Sequence, residues 1–135
     1  MSYSIDEIEG IGPAYAEKLQ AVGIRTTEAY LERAKDPKGR KALAEETGID
    51  DKRILKWANM ADLMRISGVG EEYSELLEAA GVDTVKELKH RVPANLHAKM
   101  KEVNEAKKLV RQLPSESAVE KWVAQAKELP PVMTY

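Results

Sequence analysis

The sequence predicts an all-α protein, a compact helical bundle assembled by tandem duplication. Three observations lead there. The glycine pattern Gly10-Ile11-Gly12 recurs as Gly68-Val69-Gly70. Helix start and stop signals punctuate the chain at short intervals. Between them the apolar residues fall at helical spacing, and no segment alternates convincingly as a strand.

The duplication extends well beyond the glycines. Ile8, Gly10, Gly12, Tyr15, Glu17, Leu19, Ala21, Gly23 and Thr26 match Ile66, Gly68, Gly70, Tyr73, Glu75, Leu77, Ala79, Gly81 and Thr84, every pair separated by the 58 positions between Gly10 and Gly68. Three glycines in register are not chance similarity. Downstream, Lys56-Trp57 and Ala61 match Lys121-Trp122 and Ala126 at the wider offset of 65, so the second copy is longer by one helical turn or two. The expected units are residues 1–62 and 63–135, packed together, each a hairpin followed by two or three further helices.

The individual helices follow from local chemistry. Pro13 suits the first position of a helix and Gly23 the residue just past its end. Thr84 and Glu87 have the spacing of a capping box. Asp36-Pro37, Asp50, Arg91-Val92-Pro93 and Ser115 or Ser117 read as further starts, and Gly48 and Pro114 as two stops. Val85, Leu88, Leu96, Met100, Val103, Leu109, Val110, Val119, Trp122, Val123 and Ala126 supply apolar faces. Pro130-Pro131 ends the last helix, leaving an extended tail.

Composition narrows the function classes. At 135 residues the chain buries a core but has no room for a separate catalytic domain. With 43% apolar residues and no Phe, that core is Leu, Ile, Val and Ala. The absence of cysteine excludes disulfides, thiolate metal sites and thiol nucleophiles. Met1-Ser2-Tyr3-Ser4-Ile5-Asp6-Glu7 has neither the basic stretch nor the apolar run of a signal peptide, and no apolar segment reaches the length of a membrane span. The expectation is therefore a cytoplasmic protein without membrane contact. The net charge of −2 runs against an autonomous nucleic-acid binder. It conceals segregation: residues 66–83 hold five acids and no base, whereas residues 86–111 hold eight bases against three acids.

The recurring pattern, a hydrophobic residue between two glycines followed by Ala16 and Leu19 or by Ser74 and Leu77, is what a helix-hairpin-helix requires. The glycines reach backbone angles closed to other residues. Ile11 or Val69 plugs the core, and the small residue lets two helices approach. Such a turn presents free N–H groups at a helix start, where the dipole favours a phosphate. The resemblance to helix-hairpin-helix proteins, a SAM-like architecture, implies phosphate contacts from amides around the hairpin and from a basic side chain early in the next helix. On this sequence those are Gly10, Gly12, Ala14 and Lys18. The second copy departs from the pattern, with Glu71 and Glu72 where a phosphate would approach and Leu76 in place of Lys18. Both hairpins also make sense as tight helix connectors that bind nothing.

Through Ala61-Asp62-Leu63-Met64-Arg65-Ile66-Ser67-Gly68-Val69-Gly70, through residues 76–88 and through residues 113–127, nearly the whole chain resembles a bacterial family of duplicated helix-hairpin-helix proteins. That family is catalogued as a domain of unknown function, so the resemblance implies a fold and no activity.

Other constellations are weaker. The bases Lys86, Lys89, Arg91, Lys99, Lys101, Lys107, Lys108 and Arg111 either lie along a phosphate backbone beside the first hairpin, with Lys99 and Lys101 as candidate contacts, or form a solvated helix face. His90 and His97 lack the spacing of a metal site. Glu45, Glu46, Asp50 and Asp51 read as capping and solvation. Trp57 and Trp122 occupy matching positions in amphipathic helices, which favours core roles over base stacking. No nucleophile elbow occurs. The reading is a non-enzymatic module without cofactor or metal that binds DNA or RNA backbone nonspecifically through the first hairpin. The alternative is an assembly adaptor that engages protein through the acidic second hairpin and the basic stretch 86–111.

Overall fold

Side-chain caps set the helix boundaries. Thr26, Asp36, Asp50, Thr84 and Ser115 each accept a hydrogen bond from the amide three residues on, the geometry that starts a helix. In the computed structural model, which describes residues 3–135, a 3₁₀ turn at Ile5–Glu7 precedes eight helices. These are α1 (Pro13–Ala21), α2 (Thr27–Ala34), α3 (Pro37–Thr47), α4 (Asp51–Leu63), α5 (Glu71–Ala79), α6 (Val85–Leu88), α7 (Pro93–Lys107) and α8 (Glu116–Glu128). Met1 and Ser2, the first residues of the stretch read for a signal peptide, lie outside the described residues. The described residues contain no strand, only an isolated antiparallel bridge between Ser4 and Thr26. None of the described helices is long and apolar enough to cross a membrane.

The apolar residues gather into two clusters. The first draws on Ile5, Ile8, Ile11, Leu19, Tyr30, Leu43, Ile54 and Trp57, where α2, α3 and α4 pack on one another. The second draws on Leu63, Ile66, Leu76, Leu77, Leu88, Leu96, Met100 and Trp122, where α7 packs on α5 and α8. The clusters meet at the end of α4, with Met60 in one and Leu63 in the other. The chain does not part cleanly there, because Met133 returns to the first cluster.

Buried Asp62 joins the halves. Its carboxylate accepts from Arg65 Nη1 at 2.9 Å and from the backbone amide of Val85, the first residue of α6, at 2.8 Å.

Two boundaries differ from the sequence expectation. Pro114 does not close a helix: α7 stops at Lys107, with Lys108 left-handed at φ 52°. Asn104 holds that stop, accepting from the Val110 amide at 3.0 Å and donating to the Val110 carbonyl at 3.3 Å. The capping box at α6 is shifted: Thr84 accepts from the Glu87 amide, but the Glu87 carboxylate accepts from the Asp83 amide.

Candidate functional site

The first hairpin is a tight turn closed by the Ile11 amide donating to the Ile8 carbonyl at 3.0 Å. Gly10 sits at φ 96° in this turn, a region that disfavours a side chain. Ile11 is buried, Gly12 is the N-cap of α1, and Pro13 occupies its first position. The amides of Ala14 and Tyr15 point out of the first turn with no intrahelical acceptor. Gly10, Gly12, Ala14 and Lys18 are all exposed.

Trp57 fixes this turn against α4. It is 2% exposed, its ring centroid lies 5.1 Å from that of Tyr15 and 6.5 Å from that of Tyr30, and a Cβ on Gly10 would stand 3.2 Å from its Nε1. Gly10 is thus required twice, by its backbone angle and by the indole packed on it. The same contact brings the start of α4 to the hairpin, placing the Arg53 guanidinium 5.6 Å from the Tyr15 ring centroid. Lys18 Nζ lies 6.0 Å from that centroid. Two cations from different helices therefore share one aromatic ring beside an exposed helix start. Arg53 also pairs with Asp50, and this hydrogen bond, more than anything else, holds the Asp50 carboxyl below the usual carboxylate range. Sequence reading missed Arg53 because it looks like any solvated base in an amphipathic helix. Its one signal is the place one turn before Trp57.

The second hairpin repeats the turn. The Val69 amide donates to the Ile66 carbonyl at 3.1 Å, Gly68 sits at φ 88°, and a Cβ there would stand 3.4 Å from Trp122 Nε1. Tyr73 packs on Trp122 with centroids 5.3 Å apart, as Tyr15 does on Trp57. The chemistry at the helix start differs. Glu71 and Glu72 fill the first turn of α5, and Arg111 Nε lies 3.6 Å from Glu72. An open groove of about 620 Å³ runs along this edge, lined by Tyr3, Gly68, Gly70, Glu71, Glu72, Tyr73 and Arg111.

The two hairpins are neighbours. A hydrogen bond with Glu9, partial burial and the charges of Glu9, Glu7 and Glu72 raise the Glu71 carboxyl to about 7. Burial, and after it Glu9, also pushes Glu75 up. The first hairpin thus has Lys18 and Arg53 at the Tyr15 ring and an acidic seam where Glu9, the residue before Gly10, meets Glu71.

Of the expected contacts, Gly10, Gly12 and Ala14 stand at the start of α1, whereas Lys18 lies in its last turn, with its Nζ over the ring of Tyr15 in the first turn. Lys99 and Lys101 stand exposed on α7, whose packing partners are α5 and α8, and Lys99 faces Glu102 at 3.8 Å. They belong to the surface of the second half. His97 Nε2 is 2.8 Å from the Pro114 carbonyl oxygen. Among the described residues no three His, Asp or Glu side chains are grouped to hold a metal ion.

The family model described as Domain of unknown function (DUF4332) matches residues 9–129, and the chain belongs to that family. No curated protein and no solved structure matches the chain.

Proposed function

We propose that this DUF4332 member consists of two helix-hairpin-helix repeats, residues 1–62 and 63–135, and is a non-enzymatic module that holds nucleic-acid backbone through its first hairpin. One observation carries the reading: Lys18 and Arg53 both lie over the ring of Tyr15, a residue of the first turn of α1, where the Ala14 and Tyr15 amides have no intrahelical acceptor. A helix start with unpaired amides attracts a phosphate oxygen, and two nearby cations add counterion release. Nothing at this site reads base edges, so the grip is on backbone and tolerant of sequence.

The same arrangement bounds the strength. With two or three phosphates neutralised, the logarithmic salt slope is about −2 to −3, which is roughly a 10- to 40-fold loss of affinity between 50 and 200 mM salt. The acidic seam argues for a dissociation constant at the weak end of nonspecific binding, roughly 10⁻⁴ M.

The experiment is a salt titration of binding to duplex and single-stranded DNA. Lys18→Glu is expected to weaken binding at least about tenfold, and Arg53→Ala to flatten the salt slope by about one unit. Absence of binding at low salt, or binding indifferent to Lys18→Glu, sinks the proposal.

The groove beside Glu71, Glu72 and Arg111 favours a second reading, a protein adaptor. That reading requires a stable protein partner lost on reversing Glu71 and Glu72, with no dependence on Lys18.

A further inference from the structure

After Leu129 the chain runs extended across the first half and is recognised there residue by residue. The Pro130 carbonyl accepts from Arg65 Nη2 at 2.9 Å. Val132 is half-buried beside a cavity of about 340 Å³ that Leu31, Ala61 and Leu129 also line. Met133 is 8% exposed and joins the first core. Thr134 has both backbone groups satisfied: its amide donates to the Lys35 carbonyl at 2.8 Å, and its carbonyl accepts from Arg40 Nη2 at 2.8 Å. The Tyr135 ring lies 5.5 Å from the Arg40 guanidinium, and its hydroxyl donates to Asn59 Oδ1 at 2.7 Å.

The seat is built for such a segment. Arg40 is 9% exposed and its guanidinium serves carbonyls, those of Ala34 and Thr134. A buried cation that loses an acceptor is heavily penalised. Taking the strap away leaves Arg40 one acceptor short, the Lys35 carbonyl without its donor and the Met133 pocket open. Main-chain bonds for affinity and side-chain pockets for selectivity are the means by which grooves recognise extended peptides. The strap is also hinged to leave, because Pro130 and Pro131 have no amide hydrogen to bind it to its surroundings. The family match ends at residue 129, so the strap lies outside the matched region whereas most of its seat lies within it.

We propose that the first half carries an extended-peptide site, filled by residues 130–135 of the same chain and equally able to take residues 130–135 of a second copy. The argument for that occupant is direct: this is the sequence whose fit is seen, and a second copy presents it with identical contacts. Exchange then depends only on concentration. A short tether holds the resident strap at an effective concentration in the millimolar range, so the wild-type chain keeps its own strap until its concentration approaches that value.

Two variants of the full chain uncouple seat from strap. Met133→Asp leaves the seat intact but spoils the strap, and Arg40→Ala leaves the strap intact but spoils the seat. Each alone is expected to sediment as a monomer at about 100 µM. Mixed, they are expected to form a 1:1 complex, because the Arg40→Ala strap enters the open Met133→Asp seat without a competitor. Folded variants that remain monomeric when mixed, up to about 1 mM, overturn the proposal and make the strap a fixed part of the core. Should either variant fail to fold, the absence of native cysteine allows a milder test. Asn59→Cys and Tyr135→Cys copies, mixed at about 1 mM and treated with a short bis-maleimide that spans the length of the lost tyrosine ring, are expected to give the mixed cross-linked dimer. A mixed dimer no more abundant than the cross-linked dimer each copy forms alone refutes it.

Discussion

Replacing Gly10 and Gly12 separately by alanine divides the packing role of the first hairpin from its proposed phosphate role. At Gly10 the left-handed φ of 96° disfavours any L side chain by about 1–2 kcal/mol. The new Cβ also meets Trp57 Nε1 at 3.2 Å, and Tyr15 and Tyr30 hold that indole in place, so overpacking adds about 1–2 kcal/mol. Reduced freedom of the unfolded chain offsets about 0.4–1 kcal/mol. The net loss is about 2–3 kcal/mol, a fall in Tm of roughly 6–15 °C for a chain of this length. At Gly12 the φ of −85° is ordinary and nothing lies within 4 Å of a new Cβ. The weaker N-cap preference of alanine, under about 1 kcal/mol, is nearly cancelled by the same unfolded-chain term. Gly12→Ala is therefore expected to unfold as the wild type does while losing DNA affinity, since its methyl stands where a phosphate approaches the amides. Urea and thermal unfolding followed by tryptophan fluorescence, alongside the salt titration, decide the matter. Equal destabilisation by the two substitutions refutes the assignment of Gly10 to packing, and undiminished DNA affinity in Gly12→Ala refutes the phosphate site.

Three further outcomes follow from the geometry. Gly68→Ala has the same backbone penalty, but its Cβ meets Trp122 at an ordinary 3.4 Å, so it is expected to lose only about 1–1.5 kcal/mol in the same unfolding assay, clearly less than Gly10→Ala. Asp62→Ala strands the buried Val85 amide and the Arg65 guanidinium and is expected to lose about 2–3 kcal/mol; Asp62→Asn keeps an acceptor and loses less, and equal losses in urea unfolding contradict this. Glu71, raised to about 7 in the folded chain, contributes stability that is full below its usual value of 4.5 and lost as pH rises through 7. Glu71→Gln is thus expected to match the wild type at pH 4.5 and exceed it at pH 8 by no more than about 1 kcal/mol, because the group is exposed and screened; thermal melts that coincide at pH 8 count against the shared-proton seam.

What was legible in the sequence was local. Asp36-Pro37, Asp50, Ser115 and Gly48 mark boundaries through bonds made within four residues, and both glycine turns and both tryptophans sit where the repeat places them. What escaped was set by distant contacts or by an unusual residue. Lys108 ends α7 in a left-handed conformation that lysine seldom adopts, and the Asn104 side chain that stabilises it reads as an ordinary helix residue. Arg40 reads as a surface base of α3, yet it is buried by a segment 94 positions away. Arg53 reaches the hairpin because Trp57 packs on Gly10, and no spacing rule encodes that approach. The basic stretch reads in the sequence either as a phosphate track beside the first hairpin or as a solvated helix face. Arg111 instead faces Glu72, and Lys99 and Lys101 remain with the second half.

The adjacency of the hairpins bears on how such a module works. In aqueous surroundings a carboxylate 4 Å from a bound phosphate opposes it by about 1 kcal/mol, as much as a cation at that distance contributes. At the proposed site Asp50 already shares the charge of Arg53, so Lys18 and the helix-start amides carry most of the attraction for a phosphate. On the reading proposed above, a site with so little net charge holds one backbone segment weakly and briefly. It becomes useful when several copies, or a larger assembly, engage the same nucleic acid, because linked sites multiply affinity without any new contact. On the proposed reading the second hairpin has a part that needs no phosphate: Glu71, beside Glu9, keeps the first hairpin's affinity low enough for many weak contacts to be made and broken.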